Sequence, residues 1–477
     1  VNHIAAPLDA LSARVRDDLE RIAHPKMPWL TPRIGPDGKP ALDVLVVGAG
    51  QSGIAIGFGL LRAKVTNILA IDRCARGGEG PWLTYARMHT LRSPKDYTGP
   101  DLDIPSLTYR AWHEARFVAA DWEAMDQIPR QLWAEYLLWV RDVTNVPVRN
   151  TTELASITPN RNGLLAAHLR SGDGSAETIH CRKIVLATGQ DGMGCWWMPP
   201  FIAALPAHLR AHAADAIDFE TLRGKVVGVL GAGASALDNA ATALEHGAAE
   251  VHLFCRRPEP QLVQPYRWLT FAGFLRHLSD LDDEWRWRFM SAILAMREGF
   301  PQPTYDRCAK WPNFALRTGE TWLGAEARQH RAVVTTSKGH WSADFLICGT
   351  GIEMDFTARQ ELAACATNIA TWSDKYQPPD EERNDRLGRF PYLAKDYALV
   401  EKVDGITPWI KDIHLFTIAS TMSFGPSGSS INAMTTAVPK LVAGLTRSLF
   451  SQDIERHWMS FKRYDVPQAT VSVSPAS

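Results

Sequence analysis

Three features of the sequence predict an α/β fold with two Rossmann-like dinucleotide-binding units. A strand, a glycine turn and a helix read in order at residues 44–62, VLVVGAGQSGIAIGFGLLR. The same order returns at residues 226–244, VVGVLGAGASALDNAATAL. Each unit then reaches a second strand that ends in polar residues where a ribose would lie, an aspartate in the first and two arginines in the second.

The chain length of 477 residues allows two to four domains, at roughly 150 residues each. With 45% hydrophobic and 22% charged residues, it has the composition of a water-soluble globular protein. A net charge of −1 speaks against a nucleic-acid partner. No apolar run is long enough for a membrane helix. The N-terminus lacks a signal core and places Leu8, Leu11, Val15, Leu19 and Ile22 at helical spacing, so a cytoplasmic location is expected.

Residues 1–42 read as a helical extension with a Pro/Gly-rich connector, able to cap the first unit or to meet a partner subunit. The first dinucleotide unit is expected over 43–220 and the second over 221–345, with a Trp-rich insertion at 258–330; residues 346–477 return to the first unit and end in a tail. The 17 tryptophans gather at 112–139 and 268–322, either as aromatic walls or as core. Seven cysteines are scattered without a CxxC pair, which excludes a redox disulfide motif and a cysteine zinc site. No HExxH, GxSxG or EF-hand pattern occurs, so no metal is expected.

The first turn is Gly48-x-Gly50-x-x-Gly53, with Asp72 following 19 residues after Gly53. Gly48 permits the tight turn, Gly50 admits a pyrophosphate and Gly53 lets helix and strand pack. Gln51 and Ser52 open the helix, whose free N–H groups face the phosphates, and Asp72 with Arg73 stands at the ribose. The second turn is Gly231-x-Gly233-x-x-Ala236, with Ala234 and Ser235 opening its helix. Its second strand ends in Arg256-Arg257, and guanidiniums there favour a ribose 2′-phosphate. FAD in the first turn and NADPH in the second is the natural pair.

Further stretches complete a resemblance. Ala187-Thr188-Gly189 lies in IVLATGQ, and Gly349-Thr350-Gly351 in ICGTG; GGEGPW contains Trp82 and is followed by YARMHTLRSPK. With the two turns in this order, the chain resembles the class B flavoprotein monooxygenases over most of residues 43–447. The resemblance implies two nested Rossmann-like domains, with a discontinuous FAD domain and an inserted NADPH domain. It implies Trp82, Thr188 and Gly189 beside FAD, and Gly349, Thr350 and Gly351 beside NADP. It also implies a reaction that consumes NADPH and O2 and oxygenates a small organic substrate through a C4a-(hydro)peroxyflavin. N- or S-oxygenation is favoured over Baeyer–Villiger insertion. The alternatives are an NADPH oxidoreductase that passes electrons without inserting oxygen, and a non-catalytic sensor or scaffold.

The sequence departs from the family in its linker, where FxGxxxHxxx(W/Y/F) leaves only His212 and puts Ala216 at the aromatic position. Arg92, Lys95 and Asp96 occupy the stretch where the family places an asparagine near the flavin, and are candidates for setting the charge of the oxygenating species. In FGPSGSSINAM (424–434), Ser430 and Ile431 precede a helix and are candidates for contact with FAD. The tryptophan-rich insertion reads as a wall of the substrate pocket, which implies a substrate with an apolar or aromatic part; core packing or a homodimer interface explains it as well.

Overall fold

In the computed structural model, which describes residues 5–471 apart from Arg161, Asp191 and Ser429, the two strand–turn–helix units build separate sheets. The strand Pro40–Val47 is central to the first. Its residues Val44, Leu45 and Val46 are fully buried, because parallel neighbours and covering helices close both faces. It pairs in parallel with Ile68–Ile71 on one side and with Ala176–Leu186 on the other. The sheet continues to Val148–Arg149 at one end, and at the other through an antiparallel pair, Leu165–Ser171 and Thr152–Pro159. Ile413–Leu415 returns from far along the chain to pair with the end of Ala176–Leu186.

The second sheet has five parallel strands in the order Phe314–Thr318, Glu250–Cys255, Val226–Leu230, Phe345–Cys348, Arg210–His212. Its outermost strand therefore comes from before residue 221, and another strand runs past 345. The helical part of the insertion ends with Gln302–Ala309, and the chain then rejoins this sheet at Phe314–Thr318. An antiparallel three-stranded sheet, Trp322–Arg328, Arg331–Thr336 and Gly339–Ala343, follows before the last parallel strand. The two passages between the units run side by side, Gly194–Trp196 pairing antiparallel with Ile352–Met354.

The extension helix Ala5–Arg21 caps the first unit: Val15 is fully buried, Ser106 Oγ donates to Asp18 Oδ2 at 2.6 Å and Trp139 Nε1 donates to Ser12 Oγ at 2.9 Å. Trp112, Trp122, Trp133 and Trp139 are buried, so the first tryptophan cluster is core. The returning segment is fixed by buried ions. The Arg182 guanidinium bridges Asp43 and Asp453, and Lys183 pairs with Asp412. These bonds anchor the long helix Met434–Gln452, and with it the loop that precedes it, against the first sheet. No helix among the described residues is long and apolar enough to cross a membrane.

Candidate active site

At the first turn each glycine has a distinct steric environment. Gly48 has φ +97°, and a Cβ there would lie 2.4 Å from the Ala187 carbonyl oxygen. A Cβ on Gly53 would lie 1.8 Å from Gly48 O, so strand and helix meet only without a side chain. Gly50 differs: a Cβ would meet nothing nearer than Gly80 Cα at 3.6 Å, leaving space over the start of helix Gln51–Arg62. No side chain caps that helix, so its first N–H groups are left for a ligand.

Asp72 is buried, and its two carboxylate oxygens accept the Ala49 and Cys74 N–H groups, each at 2.8 Å. It therefore holds the turn in shape, and a ribose hydroxyl would share oxygens already in use. Arg73 is exposed. Two shielded donors stand without a partner: Trp82 Nε1 and Thr188 Oγ1. Trp82 meets Trp133 edge-on at 6.3 Å, and Trp133 Nε1 donates to Gln51 Oε1 at 3.3 Å. Gly189, with φ +86°, faces open space. Open glycine positions and unused donors around one helix N-terminus fit a dinucleotide cofactor such as FAD.

The loop before helix Met434–Gln452 lies against the insertion. Asn432 Nδ2 donates to Thr270 Oγ1 at 3.4 Å, Thr436 Oγ1 to Leu275 O at 3.3 Å, and Lys440 Nζ to Ser279 Oγ at 2.6 Å. Ser430 donates to the Asn432 side chain, and Ile431 is buried. Trp268, Phe271 and Trp285 of the insertion remain exposed, whereas Trp287 is core.

The second turn repeats the first with one exchange. Gly231 has φ +111°, and its Cβ would lie 2.5 Å from Gly349 O. A Cβ on Gly349 would lie 2.6 Å from that of Ala236, so a glycine opposite makes room for alanine in the third position. Gly233 has no atom within 4 Å of a Cβ, and helix Ala234–Glu245 begins there uncapped. Thr350 donates to the Trp197 carbonyl, and Gly351 (φ +80°) is open. Arg256 is exposed, while Arg257 donates to Met296 O and Ala295 O at 3.2 and 3.3 Å.

Residues 45–191 match the FAD-NAD(P)-binding family. Across nearly the whole length, the chain is 39% identical over 460 residues, 96% of both proteins, to a FAD-dependent urate hydroxylase of Xanthomonas campestris pv. campestris. The chain belongs to the class B flavoprotein monooxygenases. Solved structures share the fold: an ornithine N-hydroxylase of Kutzneria sp. 744 superposes with a TM-score of 0.65 at 16% identity, covering 86% of this chain and 100% of that one. L-lysine 6-monooxygenase of Pseudomonas syringae gives 0.63 at 17% identity, covering 85% and 99%. This monooxygenase is thus an oxidoreductase that binds FAD and a nicotinamide dinucleotide.

Within the monooxygenase, Arg92, Lys95 and Asp96 do not converge. Arg92 Nη2 pairs with Asp238 Oδ2 at 2.7 Å on the first helix of the second unit. Lys95 Nζ donates to Trp122 O at 2.7 Å and lies 5.0 Å from the centre of its ring. Asp96 is exposed. His212 is buried and packs on Trp196 with ring centres 5.1 Å apart and planes tilted by 34°; burial lowers its pKa, which favours the neutral ring. Trp196 supplies an aromatic partner that the eroded linker lacks at Ala216.

Several residues at the site carried no sequence signal. Glu79, beside the first turn, accepts from Arg141 Nη1 at 2.9 Å, Asn150 Nδ2 at 2.6 Å and the Gly77 N–H at 2.6 Å. Arg130 donates to the Trp82 carbonyl and has an unpartnered Nε. Asp238 is 2% exposed and also takes Arg307 Nη1 at 2.9 Å. Apart from that to Gly77, these contacts join residues far apart in the sequence.

Proposed function

We propose that this chain is an NADPH- and O2-dependent hydroxylase acting on a small, planar nitrogen heterocycle of the urate type. The observation that carries the reading is the 39% identity with a urate hydroxylase over 96% of both chains. Oxygenation at nitrogen or sulfur becomes the second choice, because the N-hydroxylases resemble this chain in fold at far lower identity.

When bound, the flavin supplies acceptance of hydride from the nicotinamide and activation of O2. The protein's own groups bind, orient and exclude water. The helix starts at Gln51 and Ala234 hold the phosphates of the two cofactors. Trp82 and Thr188 offer their free donors to the flavin cofactor. Arg92 and Arg130 each keep a buried Nε–H without a partner, a donor set suited to the electron-rich edge of a urate-like ring. Trp82, backed by the core residue Trp133, and the aromatic insertion provide apolar walls.

The test is oxygen uptake by the FAD-loaded enzyme with NADPH, with and without urate. Urate-dependent uptake and incorporation of one atom from labelled O2 into the product are expected. NADPH oxidation that urate does not stimulate, with all oxygen recovered as hydrogen peroxide, would remove urate and support the electron-passing alternative.

A further inference from the structure

The last helix among the described residues, Ile454–Lys462, carries its apolar residues outward, and none of its residues is buried. Ile454, Trp458 and Phe461 follow the i, i+4, i+7 spacing of a helix face built for packing. They are exposed by 50%, 56% and 67%, and the rings of Trp458 and Phe461 stack at 5.8 Å. The helix is nonetheless fixed to the body of the protein. Asp453, just before it, is buried and accepts Arg33 and Arg182. His457 stacks on Phe450 at 4.8 Å, Phe450 meets Trp29 at 6.4 Å, and Trp29 Nε1 donates to Ala63 O at 3.0 Å.

Phe450, and Met27 two residues from Trp29, extend this open apolar surface. With Ile454, Trp458 and Phe461 they expose on the order of 700 Å² of side chain. That exceeds the apolar patch of a typical monomer and approaches the ~800 Å² that each partner gives to a standard protein interface. The charges beside the stripe indicate the partner. Glu455 and Lys462 stand about two helical turns apart on the same flank, and neither makes an ion pair among the described residues. Two copies of the helix laid antiparallel across a twofold axis set each Glu455 beside the partner's Lys462. An anionic membrane would instead repel Glu455 and Asp465.

We infer that this face docks a second copy of the chain, forming a twofold homodimer in which Ile454–Lys462 packs antiparallel on its own counterpart. Trp458 and Phe461 supply the apolar centre, Phe450 and Met27 the edge, and the two Glu455–Lys462 pairs fix the antiparallel sense. The face lies at the end of helix Met434–Gln452 remote from the loop that meets the insertion, roughly 28 Å along a helix of 19 residues. Pairing there leaves both candidate sites open. The dimer therefore depends on the C-terminal helix and not on the tryptophan-rich insertion.

The experiment is sedimentation velocity of the FAD-loaded enzyme over a wide range of concentrations, where a species of twice the chain mass is expected. Trp458→Glu/Phe461→Glu should raise the dimer dissociation constant at least about 100-fold, with flavin and helix content unchanged because both side chains are exposed. Glu455→Lys and Lys462→Glu should each weaken the dimer about tenfold, and the two together should restore it. Trp285→Glu, on the exposed aromatic patch of the insertion, should leave the dimer intact. A monomer at every concentration overturns the proposal, as does a dimer that survives Trp458→Glu/Phe461→Glu. Charge variants that weaken the dimer without mutual rescue overturn the antiparallel arrangement. Flotation of a monomeric enzyme with phosphatidylserine vesicles, lost on Trp458→Glu, would assign the face to lipid instead.

Discussion

Arg92 Nη2 lies 2.7 Å from Asp238 Oδ2, and this contact joins the two nucleotide-binding units directly. Asp238 also receives Arg307, which in turn pairs with Glu245 at 2.9 Å and donates to Arg87 O at 3.1 Å. One buried carboxylate therefore ties the segments of Arg92 and Arg307 to the first helix of the nicotinamide unit.

Replacing Asp238 by alanine takes the carboxylate from Arg92 and leaves Arg307 with Glu245 alone. A loss of roughly 1–3 kcal/mol is expected, below that for a fully buried pair because Arg92 reaches solvent and Arg307 keeps Glu245. Urea unfolding followed by tryptophan fluorescence measures it. The double variant Arg92→Ala/Asp238→Ala should lose less than the sum of the single losses; strict additivity would show that the pair is not coupled.

Gly53 and Gly233 should respond in opposite ways to a side chain. Gly53→Ala forces a Cβ to 1.8 Å from Gly48 O, so little folded, flavin-bearing protein is expected. The Cβ of Gly233→Ala meets no atom within 4 Å, so fold and flavin content should be normal. The variant's nicotinamide affinity should fall at least about tenfold, or about 1.4 kcal/mol. Binding at full strength would place the dinucleotide elsewhere.

Trp82→Phe keeps an aromatic ring towards Trp133 and removes the unpartnered Nε1–H together with part of the indole. If that donor serves FAD, flavin should be lost about tenfold more readily on dialysis, with the melting temperature of the flavin-free protein unchanged. Equal retention of flavin would assign Trp82 to packing alone.

Acid should destabilise the protein through His414. Burial, then the charge of Lys183, lowers its pKa from 6.5 to about 4, and Nδ1 donates to Asp396 O at 2.8 Å. The unfolded chain binds this proton first. Stability from the neutral ring is therefore complete above about pH 6.5, declines as the pH falls, and is exhausted near pH 4. His414→Gln should flatten that part of the urea midpoint against pH; an unchanged slope would point to the carboxylates.

Much of this arrangement was legible in the amino-acid order. Gly48 and Gly231 turn through positive φ and a Cβ on Gly53 would strike the Gly48 carbonyl, so local sterics wrote these glycines into the sequence. The apolar run through Val44–Val46 likewise announced a strand buried on both faces. By contrast, TLRSPKD gave Arg92, Lys95 and Asp96 as a cluster, and the fold separates them: adjacent positions in an irregular segment point in different directions, and their partners, Asp238 and the Trp122 carbonyl, come from distant chain.

The sequence by itself determined the two dinucleotide units, because a strand, a positive-φ glycine and an uncapped helix are set by contacts within about thirty residues. Only the tertiary structure decided what surrounds them. It turned Asp72 inward onto the Ala49 and Cys74 N–H groups. It placed Glu79 against Arg141 and Arg92 against Asp238. Those pairings depend on packing between segments far apart in the chain, and neither spacing nor periodicity encodes a long-range contact.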